Sequence, residues 1–242
     1  MLMLRLDKLI AESGMYSRSE AAALIRSGRV SVSGIVASQN SEKINPETQE
    51  VSIDGRLLEY KRFHYIMLNK PQGYVSSTQD RRERTVMELL DERFIKLGLF
   101  PAGRLDKDAE GFLLLTNDGE FAHKVTSPTG KVTKRYFALL DGEVTDDDIG
   151  AFSRGITLGD GTICLPAVLE RASEGAFITL SEGKYHQVKR MMASIGKPVR
   201  YLKRTAIGGL MLDEGLELGE YRELSDEIRL IFGDSKIHHQ NP

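Results

Sequence analysis

The sequence predicts an α+β protein with two domains, a small one over residues 1–60 and a larger one over residues 63–232. The chain has 242 residues and 40% apolar content, which is enough to bury one or two hydrophobic cores. Strand-like and helix-like segments follow one another without the strict alternation of a doubly wound parallel sheet. The charged run 59–62 has little to bury, so we place the linker there. Residues 233–242 are expected to form a disordered tail.

The leading domain is predicted to begin with two short helices. Apolar residues recur at helical spacing over residues 6–10, and Gly14 ends that helix. Ser17 and Glu20 form a capping-box pattern, which opens a second helix that stops near Gly28. Two alternating segments then predict short strands, at residues 29–34 and 51–55.

The larger domain contains a series of short strands interrupted by helices. Alternating or continuous apolar segments predict strands at Tyr65–Leu68, Tyr74–Ser76, Phe112–Thr116, Tyr136–Leu140 and Ala176–Leu180. Helices are predicted at Val86–Leu90 and Glu120–Val125. Thr145 is a candidate N-cap for a third helix, because three Asp residues follow it and favour the positive end of a helix dipole.

The charge of the chain is unevenly distributed, although the net charge is only −2. Residues 184–205 carry seven cations and no acid, and the preceding residues 141–183 carry a net charge of −7. A local field steers a polyanion within about 8 Å at physiological salt, so a basic patch matters more than the total. The basic segment is therefore a candidate nucleic-acid surface, with a solvated basic face as the alternative.

A second cationic cluster lies on or beside the two leading helices. Its members are Arg5, Lys8, Arg18, Arg26 and Arg29. Such a cluster can bind phosphates and would make binding sensitive to salt. The runs 5–9, 17–21 and 25–30, followed by Val32 and Gly34, resemble the S4 RNA-binding domain. The resemblance implies that the leading domain binds RNA through these five cations.

The strongest candidate for a reactive group is Asp106. It stands in a loop of mixed charge that leads into the apolar strand 112–116. A carboxylate beside a cation stays ionised and can act as a nucleophile or base, and Lys189 in the basic segment offers that cation. Tyr136 offers a ring on which a nucleobase can stack once it has left its RNA. These groups suit an enzyme that acts on one nucleotide, but they do not select methylation, deamination or isomerisation.

Several other chemistries are excluded by the sequence patterns. No phosphate-binding glycine loop, metal-spaced cysteine pair or nucleophile elbow is present. The run from Asp106 imitates a calcium loop, but its twelfth position is Asn117 where a bidentate Glu is required. We therefore expect no metal. A lone Cys164, no signal-like segment and no apolar run of roughly 20 residues predict a cytoplasmic protein without a membrane anchor.

Four motifs together resemble the pseudouridine synthases that modify ribosomal RNA. They are Gly103-Arg104-Leu105-Asp106 with 111–119, Asn69-Lys70-Pro71-Gln72-Gly73-Tyr74, 126–128 with Lys134-Arg135-Tyr136, and Gly183-Lys184-Tyr185-His186-Gln187-Val188-Lys189-Arg190-Met191. The similarity continues to about residue 232. It implies a mixed, mainly antiparallel sheet in the larger domain. Similarity through Met67–Ser77 and Pro166–Glu170 points to the small-subunit branch, whose substrate is uridine-516 of 16S rRNA.

The resemblance implies a role for each motif residue. Asp106 matches the catalytic aspartate, Tyr136 the ring that stacks on uracil, and Lys189 the basic partner of the aspartate, which is Arg in other members. Lys70, Arg104, Lys184 and Arg190 become candidate RNA-binding residues, and His186 and Gln187 are expected to support the segment that carries Lys189. No cofactor is implied, because the product is an isomer. The implied partner is 16S rRNA or an assembling small ribosomal subunit, acted on by a monomer.

Three alternatives remain from the sequence. Enzymes of the same family that act on 23S rRNA share the catalytic motifs. A ribosome-assembly factor with an inactive synthase domain would also carry an S4 domain, although intact Asp106, Tyr136 and Lys189 count against it. A carboxylate hydrolase could use Asp106, Asp108 and Glu110, but it requires two carboxyl groups about 5–9.5 Å apart.

Overall fold

The computed structural model describes residues 3–233, which divide into two compact units. The first unit contains the chain up to His64 together with Leu90–Leu99. The second contains Tyr65–Leu89 and, among the described residues, 100–233. Apart from Gly233, the predicted tail lies outside the described residues. No helix within residues 3–233 combines the length and the apolar character needed to cross a bilayer.

The first unit is a small helix–strand module. Its strands form a four-stranded antiparallel sheet in the order β3-β2-β5-β6, and β1 pairs separately with β4. The predicted helices and strands of this region are confirmed. The elements are β1 (Leu4–Arg5), α1 (Leu6–Ala11), α2 (Arg18–Arg26), β2 (Val30–Val32), β3 (Ile35–Val36), β4 (Lys43–Ile44), β5 (Val51–Ile53), β6 (Arg56–Leu57) and α3 (Glu92–Lys96).

The start of α2 is fixed by the predicted capping box. The backbone N–H of Ser17 donates to Glu20 Oε2 over 2.7 Å, and the N–H of Glu20 donates to Ser17 Oγ over 3.3 Å. The turn before it requires glycine, since Gly14 has a φ of +76°. A Cβ at Gly14 would also lie 3.0 Å from Leu97 Cγ and 3.1 Å from the Arg93 carbonyl oxygen. This close approach is how the segment Leu90–Leu99 packs within the first unit.

The second unit is built on a nine-stranded sheet in the described part of the chain. Its main order is β11-β12-β10-β13-β9-β7-β15, with β14 paired to β13 and β8 paired to β9. The strands are β7 (Tyr65–Lys70), β8 (Phe100–Pro101), β9 (Glu110–Thr116), β10 (Lys134–Leu140), β11 (Val168–Ala172), β12 (Gly175–Leu180), β13 (Val199–Ile207), β14 (Leu210–Met211) and β15 (Tyr221–Glu223). The helices are α4 (Gly119–Thr126), α5 (Asp146–Arg154), α6 (Gln187–Ser194) and α7 (Ile228–Ile231), with 3₁₀ turns at Val86–Leu89 and Pro128–Gly130.

The predicted fold class is confirmed, because the sheet is mixed and mainly antiparallel. The pair β9–β13 is parallel, and Gly111 lies opposite Arg204 in its register. The other named pairs of this sheet are antiparallel. The parallel pair places the start of β9, directly after the loop that carries Asp106, beside the middle of β13.

The prediction of a strand at Tyr74–Ser76 was wrong. This segment forms one isolated bridge, between Val75 and Thr85, and its neighbouring backbone groups bond to loops. The N–H of Gly73 donates to the Lys107 carbonyl over 2.8 Å, and that of Val75 donates to Arg84 over 2.9 Å. The predicted helix at Val86–Leu90 is a 3₁₀ turn rather than an α-helix. Strands β8, β11, β13, β14 and β15 and helices α6 and α7 were not predicted.

The N-terminus of α5 has the predicted cap. The side chain of Thr145 accepts a hydrogen bond from the Asp148 N–H, and Asp148 Oδ2 accepts the Thr145 N–H over 2.7 Å. The Lys197 ammonium lies 2.7 Å from the same carboxylate, and both side chains are largely buried. Burial raises the pKa of Asp148, but Lys197 and Thr145 lower it by more, so the net shift is downward.

Candidate active site

A buried ammonium, that of Lys70, donates hydrogen bonds to the backbone of the loop that carries Asp106. Lys70, the last residue of β7, is fully buried. Its Nζ donates to the carbonyl oxygens of Pro71 at 3.0 Å, Asp106 at 3.0 Å and Ala109 at 2.9 Å. Burial lowers the pKa of Lys70 to about 8. The prediction that Lys70 binds RNA is therefore corrected, because its ammonium is enclosed and bonded to backbone carbonyls.

A serine fixes the other side of the same loop. Ser76 Oγ donates to the Leu105 carbonyl over 2.8 Å and accepts the Leu105 N–H over 3.0 Å. Within the loop, the N–H of Ala109 donates to the Asp106 carbonyl over 3.1 Å. The backbone on both sides of Asp106 is thus bonded, and the carboxylate points outward with 27% of its side chain exposed.

Two groups from the basic segment lie beside the Asp106 carboxylate. Lys189 Nζ is 3.7 Å from Asp106 Oδ2, and His186 Nε2 is 3.6 Å from Asp106 Oδ1. The predicted proximity of Asp106 and Lys189 is confirmed. The ammonium is closer to Asp108, at 2.5 Å, and its hydrogen bond lowers the pKa of that carboxyl group. Lys189 is 24% exposed, so its pair with Asp106 contributes the small stabilisation of a partly solvated ion pair, about 1 kcal/mol or less.

The position of Lys189 follows from how α6 begins. His186 precedes the helix in the left-handed conformation, with φ 48° and ψ 36°. The buried Gln187 accepts the Lys184 N–H over 2.8 Å and donates to Glu182 Oε1 over 2.6 Å. Gln187 therefore supports the segment as predicted. His186 does more than the prediction gave it, because its ring reaches the Asp106 carboxylate.

The predicted RNA-binding cations of this unit differ in their surroundings. The Lys184 ammonium pairs with Glu182, and Arg190 lies 2.5 Å from Asp160 Oδ2. Arg104 is exposed on the loop next to Asp106. Arg104 thus presents its side chain to solvent beside the candidate site, whereas the charges of Lys184 and Arg190 are partly neutralised.

Tyr136 is connected to the Asp106 loop through Arg204. Tyr136 on β10 and Arg204 on β13 are cross-strand partners, and the Arg204 guanidinium carbon lies 6.0 Å from the centre of the Tyr136 ring. Arg204 is 3% exposed, and its Nε donates to the Phe112 carbonyl over 2.7 Å. Its Nη1 donates to the Arg104 carbonyl over 3.1 Å. One buried guanidinium thus links the strand of Tyr136 to the loop of Asp106.

The cations predicted for the leading domain all lie in the first unit and keep exposed side chains. Four of the five pair with carboxylates of the same unit. Arg5 bonds Asp7 at 3.1 and 2.8 Å, Lys8 lies 3.4 Å from Glu12, Arg18 lies 3.7 Å from Asp7, Arg29 pairs with Asp54, and Arg26 is exposed on the last turn of α2. Their binding of RNA stays a prediction.

Comparison with family models decides which family the chain represents. Residues 64–194, more than half of the chain, match the model described as RNA pseudouridylate synthase. Residues 4–49 match the S4 domain. The chain belongs to the RNA pseudouridylate synthase family. It is an enzyme, an RNA pseudouridine synthase with an S4 domain, as the sequence predicted, and the alternative of an inactive assembly factor is not supported.

Individual relatives of this pseudouridine synthase extend over nearly the whole chain. An uncharacterized RNA pseudouridine synthase of Bacillus subtilis is 44% identical over 93% of this chain and 96% of its own length. The ribosomal small subunit pseudouridine synthase A of Escherichia coli is 43% identical over 93% of this chain and 97% of its own length. The crystal structure of a pseudouridylate synthase, 39% identical, superposes with a TM-score of 0.66 and covers 95% of this chain and 99% of that one.

Two site residues of this synthase were missed or undervalued from sequence. Arg204 stood in the basic run 184–205, where its role looked no different from that of six other cations. Only the pairing of β13 with both β9 and β10 reveals it as the residue between Tyr136 and the loop. His186 was undervalued because its ring is directed by a left-handed turn, which histidine adopts more often than most residues but still too rarely to be predicted from sequence.

The two-carboxylate hydrolase considered from the sequence gains no support from this arrangement. Asp108 is bonded to Lys189, and Glu110 Oε2 accepts the hydroxyl proton of Tyr201 over 2.7 Å. Neither carboxyl group is poised as a second acid beside Asp106. The geometry favours chemistry with one carboxylate.

Proposed function

We propose that this enzyme converts one uridine of 16S rRNA, uridine-516 in the usual rRNA numbering, into pseudouridine without a cofactor. The observation that carries the chemical part is the Asp106 carboxylate, partly exposed on a loop bonded from both sides and flanked by Lys189 and His186. The substrate part is supported by 43% identity to a protein named ribosomal small subunit pseudouridine synthase A, across 97% of that protein.

The reaction assigns one role to each of three residues. Asp106 supplies the ionised carboxylate that acts as nucleophile or base while the bond between N1 of uracil and C1′ of ribose breaks. Tyr136 stacks on the uracil, which rotates and rejoins C1′ through C5. The proton of C5 is lost and N1 gains one, so the product is an isomer and no oxidant or group donor is needed. Lys189 balances the charge of Asp106.

The leading unit would bind rRNA away from the target nucleotide. We propose a division into an S4-like domain over residues 1–60 and a catalytic domain over 63–232. In this proposal the exposed cations of the leading domain hold phosphates while the catalytic domain acts on the flipped uridine. The partner is 16S rRNA, free or in an assembling small subunit, so the enzyme works in the cytoplasm, as a monomer.

Tritium release from RNA labelled at C5 of uridine tests this proposal. We expect release from a 16S transcript and none from a 23S transcript, with the new pseudouridine mapped to uridine-516. Asp106→Asn should release no tritium while still binding the transcript. Asp160→Asn is the matched control, because Asp160 is an exposed carboxylate that pairs with Arg190, and it should stay active. Release from 23S alone would reassign the substrate, and normal turnover by Asp106→Asn would overturn the catalytic role.

A further inference from the structure

An exposed aromatic stack stands next to the candidate catalytic carboxylate. The rings of Tyr185 and His186 are stacked, with centroids 3.8 Å apart and an interplanar angle of 20°. Tyr185 is 75% exposed, while the His186 ring reaches to 3.6 Å from Asp106 Oδ1. The stack therefore runs from the candidate reaction centre outward into solvent.

The backbone holds this pair in a defined orientation. His186 adopts the left-handed conformation, which a residue with a side chain keeps only where its surroundings enforce it. The buried Gln187 enforces it here by bonding the Lys184 N–H on one side and Glu182 on the other. The pair is thus mounted on a bonded turn at the start of α6 rather than on a free loop.

The surroundings of the pair suit an RNA strand. Lys184, Lys189 and Arg190 lie within four residues of it along the chain, and each also has a carboxylate partner that partly neutralises its charge. Single-stranded RNA is commonly recognised by bases that stack on Tyr or His rings, between cations that contact the phosphates. A base that has lost its stacked neighbour exposes an apolar face, which an aromatic ring can cover.

We propose that Tyr185 and His186 form a stacking subsite for an unpaired nucleobase adjacent to the target uridine. The inference rests on the proposed function, since extrusion of the uridine is what leaves its neighbour unstacked. Tyr136, on β10, serves the uracil itself. The two aromatic sites then hold consecutive bases, one in the reaction cleft and one outside it, and the outer site fixes the register of the strand relative to Asp106.

A single-tryptophan variant gives a direct test, because the natural sequence contains no tryptophan. In Tyr185→Trp, we expect the indole emission to be quenched as the 16S transcript is titrated, since a base stacks on the ring. Val168→Trp is the matched control, because Val168 is 56% exposed on the edge strand β11. Its emission should stay unchanged. Equal quenching in both variants, or none in Tyr185→Trp under conditions where the RNA is bound, would overturn the subsite.

Binding measurements separate stacking from a structural role. Tyr185→Ala should weaken transcript binding about tenfold, whereas Tyr185→Phe, which keeps the ring, should stay within about twofold of the natural protein. Thermal unfolding should be the same in all three. An abasic site next to the target uridine should weaken binding by the natural protein by a similar factor and leave binding by Tyr185→Ala unchanged. If the abasic site weakens binding by Tyr185→Ala by the same factor as binding by the natural protein, the base does not stack on Tyr185.

The failure of this inference can be distinguished from failure of the proposed function. Tritium release by the natural protein measures the reaction, whereas the Tyr185→Trp emission and the abasic comparison measure stacking. Normal release without selective quenching refutes only the subsite. Selective quenching without release supports the subsite and refutes the proposed reaction.

Discussion

Replacement of Lys70 by Met tests whether a buried ammonium positions the catalytic loop. Methionine keeps most of the apolar volume of the lysine stem but removes the charge and every donor. The carbonyls of Pro71, Asp106 and Ala109 then lose partners that lie 2.9–3.0 Å away. Two of those carbonyls belong to the turn that carries the reactive carboxylate.

The size of the effect follows from two opposing terms. The Asp106 carbonyl keeps the Ala109 N–H as a donor, so only the carbonyls of Pro71 and Ala109 are left without a partner. Each such acceptor costs about 1–3 kcal/mol, which for two carbonyls is roughly 2–6 kcal/mol before water or local movement compensates. Against this, removal of the ammonium relieves a desolvation penalty, which the pKa of about 8 in place of 10.5 puts on the order of 3 kcal/mol. We expect the free energy of unfolding to fall by up to about 3 kcal/mol. A loop displaced by about 1 Å should also lower the single-turnover rate roughly 100-fold.

Lys134→Met provides the matched control for this experiment. Lys134 is also a lysine whose pKa is lowered to about 8 by burial, but its ammonium bonds the carbonyls of Val125 and Val132 rather than the catalytic loop. Urea denaturation and single-turnover tritium release should be measured for both variants. Both should lose stability, and only Lys70→Met should lose its rate on bound RNA. A Lys70→Met enzyme that turns over normally, or equal rate losses in both variants, would refute the positioning role.

Three further outcomes are expected. Gly111→Ala should destabilise the protein by about 3 kcal/mol or more, since φ is +101° and a Cβ would lie 2.3 Å from a backbone oxygen of β13. Gly161→Ala is the control, because φ there is +83° but no atom lies near the added Cβ. Urea denaturation should find a much smaller loss of stability for Gly161→Ala. Lys189→Ala should change the free energy of unfolding by no more than about 1 kcal/mol but slow single turnover about 100-fold. Lys189→Arg, which keeps the charge, should retain most of the rate. A Lys189→Ala enzyme with the natural rate would contradict the role of Lys189 in balancing the charge of Asp106. Asp148→Asn should cost about 1–3 kcal/mol at pH 7. The folded-state pKa of Asp148 is lowered, so the stability that its carboxylate contributes is present above the unfolded-state pKa of about 4 and is lost as the pH falls through the folded-state pKa. An Asp148→Asn variant that loses the same free energy of unfolding at pH 7 and at pH 3 would contradict this prediction.

Local signals in the sequence were enough to predict α1, α2, β2 and β5 of the leading unit, but not the shorter strands or the segment Leu90–Leu99 that carries α3. The capping box of Ser17 and Glu20, the turn at Gly14 and the short alternating strands each depend on neighbours within a few residues. The second unit was harder because its pairing is non-local. Strand β13 was not predicted, since five of its nine residues are charged, polar or aromatic. Its partners in β10 and β9 lie 59 to 93 positions away along the chain.

The candidate site shows the same division. Motif resemblance selected Asp106 and Lys189, and their proximity is confirmed, while their catalytic roles stay predictions. No sequence pattern indicates that Lys189 lies closer to Asp108 than to Asp106, because these side-chain distances depend on the turn at His186. Lys70 was misassigned for a similar reason. A lysine in a motif is usually exposed, and only the packing of β7 beneath the loop reveals its burial.

The parallel pairing of β9 with β13 explains how the Asp106 loop is linked to the strand of Tyr136. Strand β9, which follows the Asp106 loop, and strand β10, which carries Tyr136, do not pair with each other. Strand β13 lies between them, and Gly111 allows its backbone to approach closely enough for Arg204 to bond the carbonyls of Arg104 and Phe112. The same strand pairs with β10, so Arg204 also faces Tyr136. A single glycine, the second residue of β9, therefore couples the geometry of the Asp106 loop to that of Tyr136.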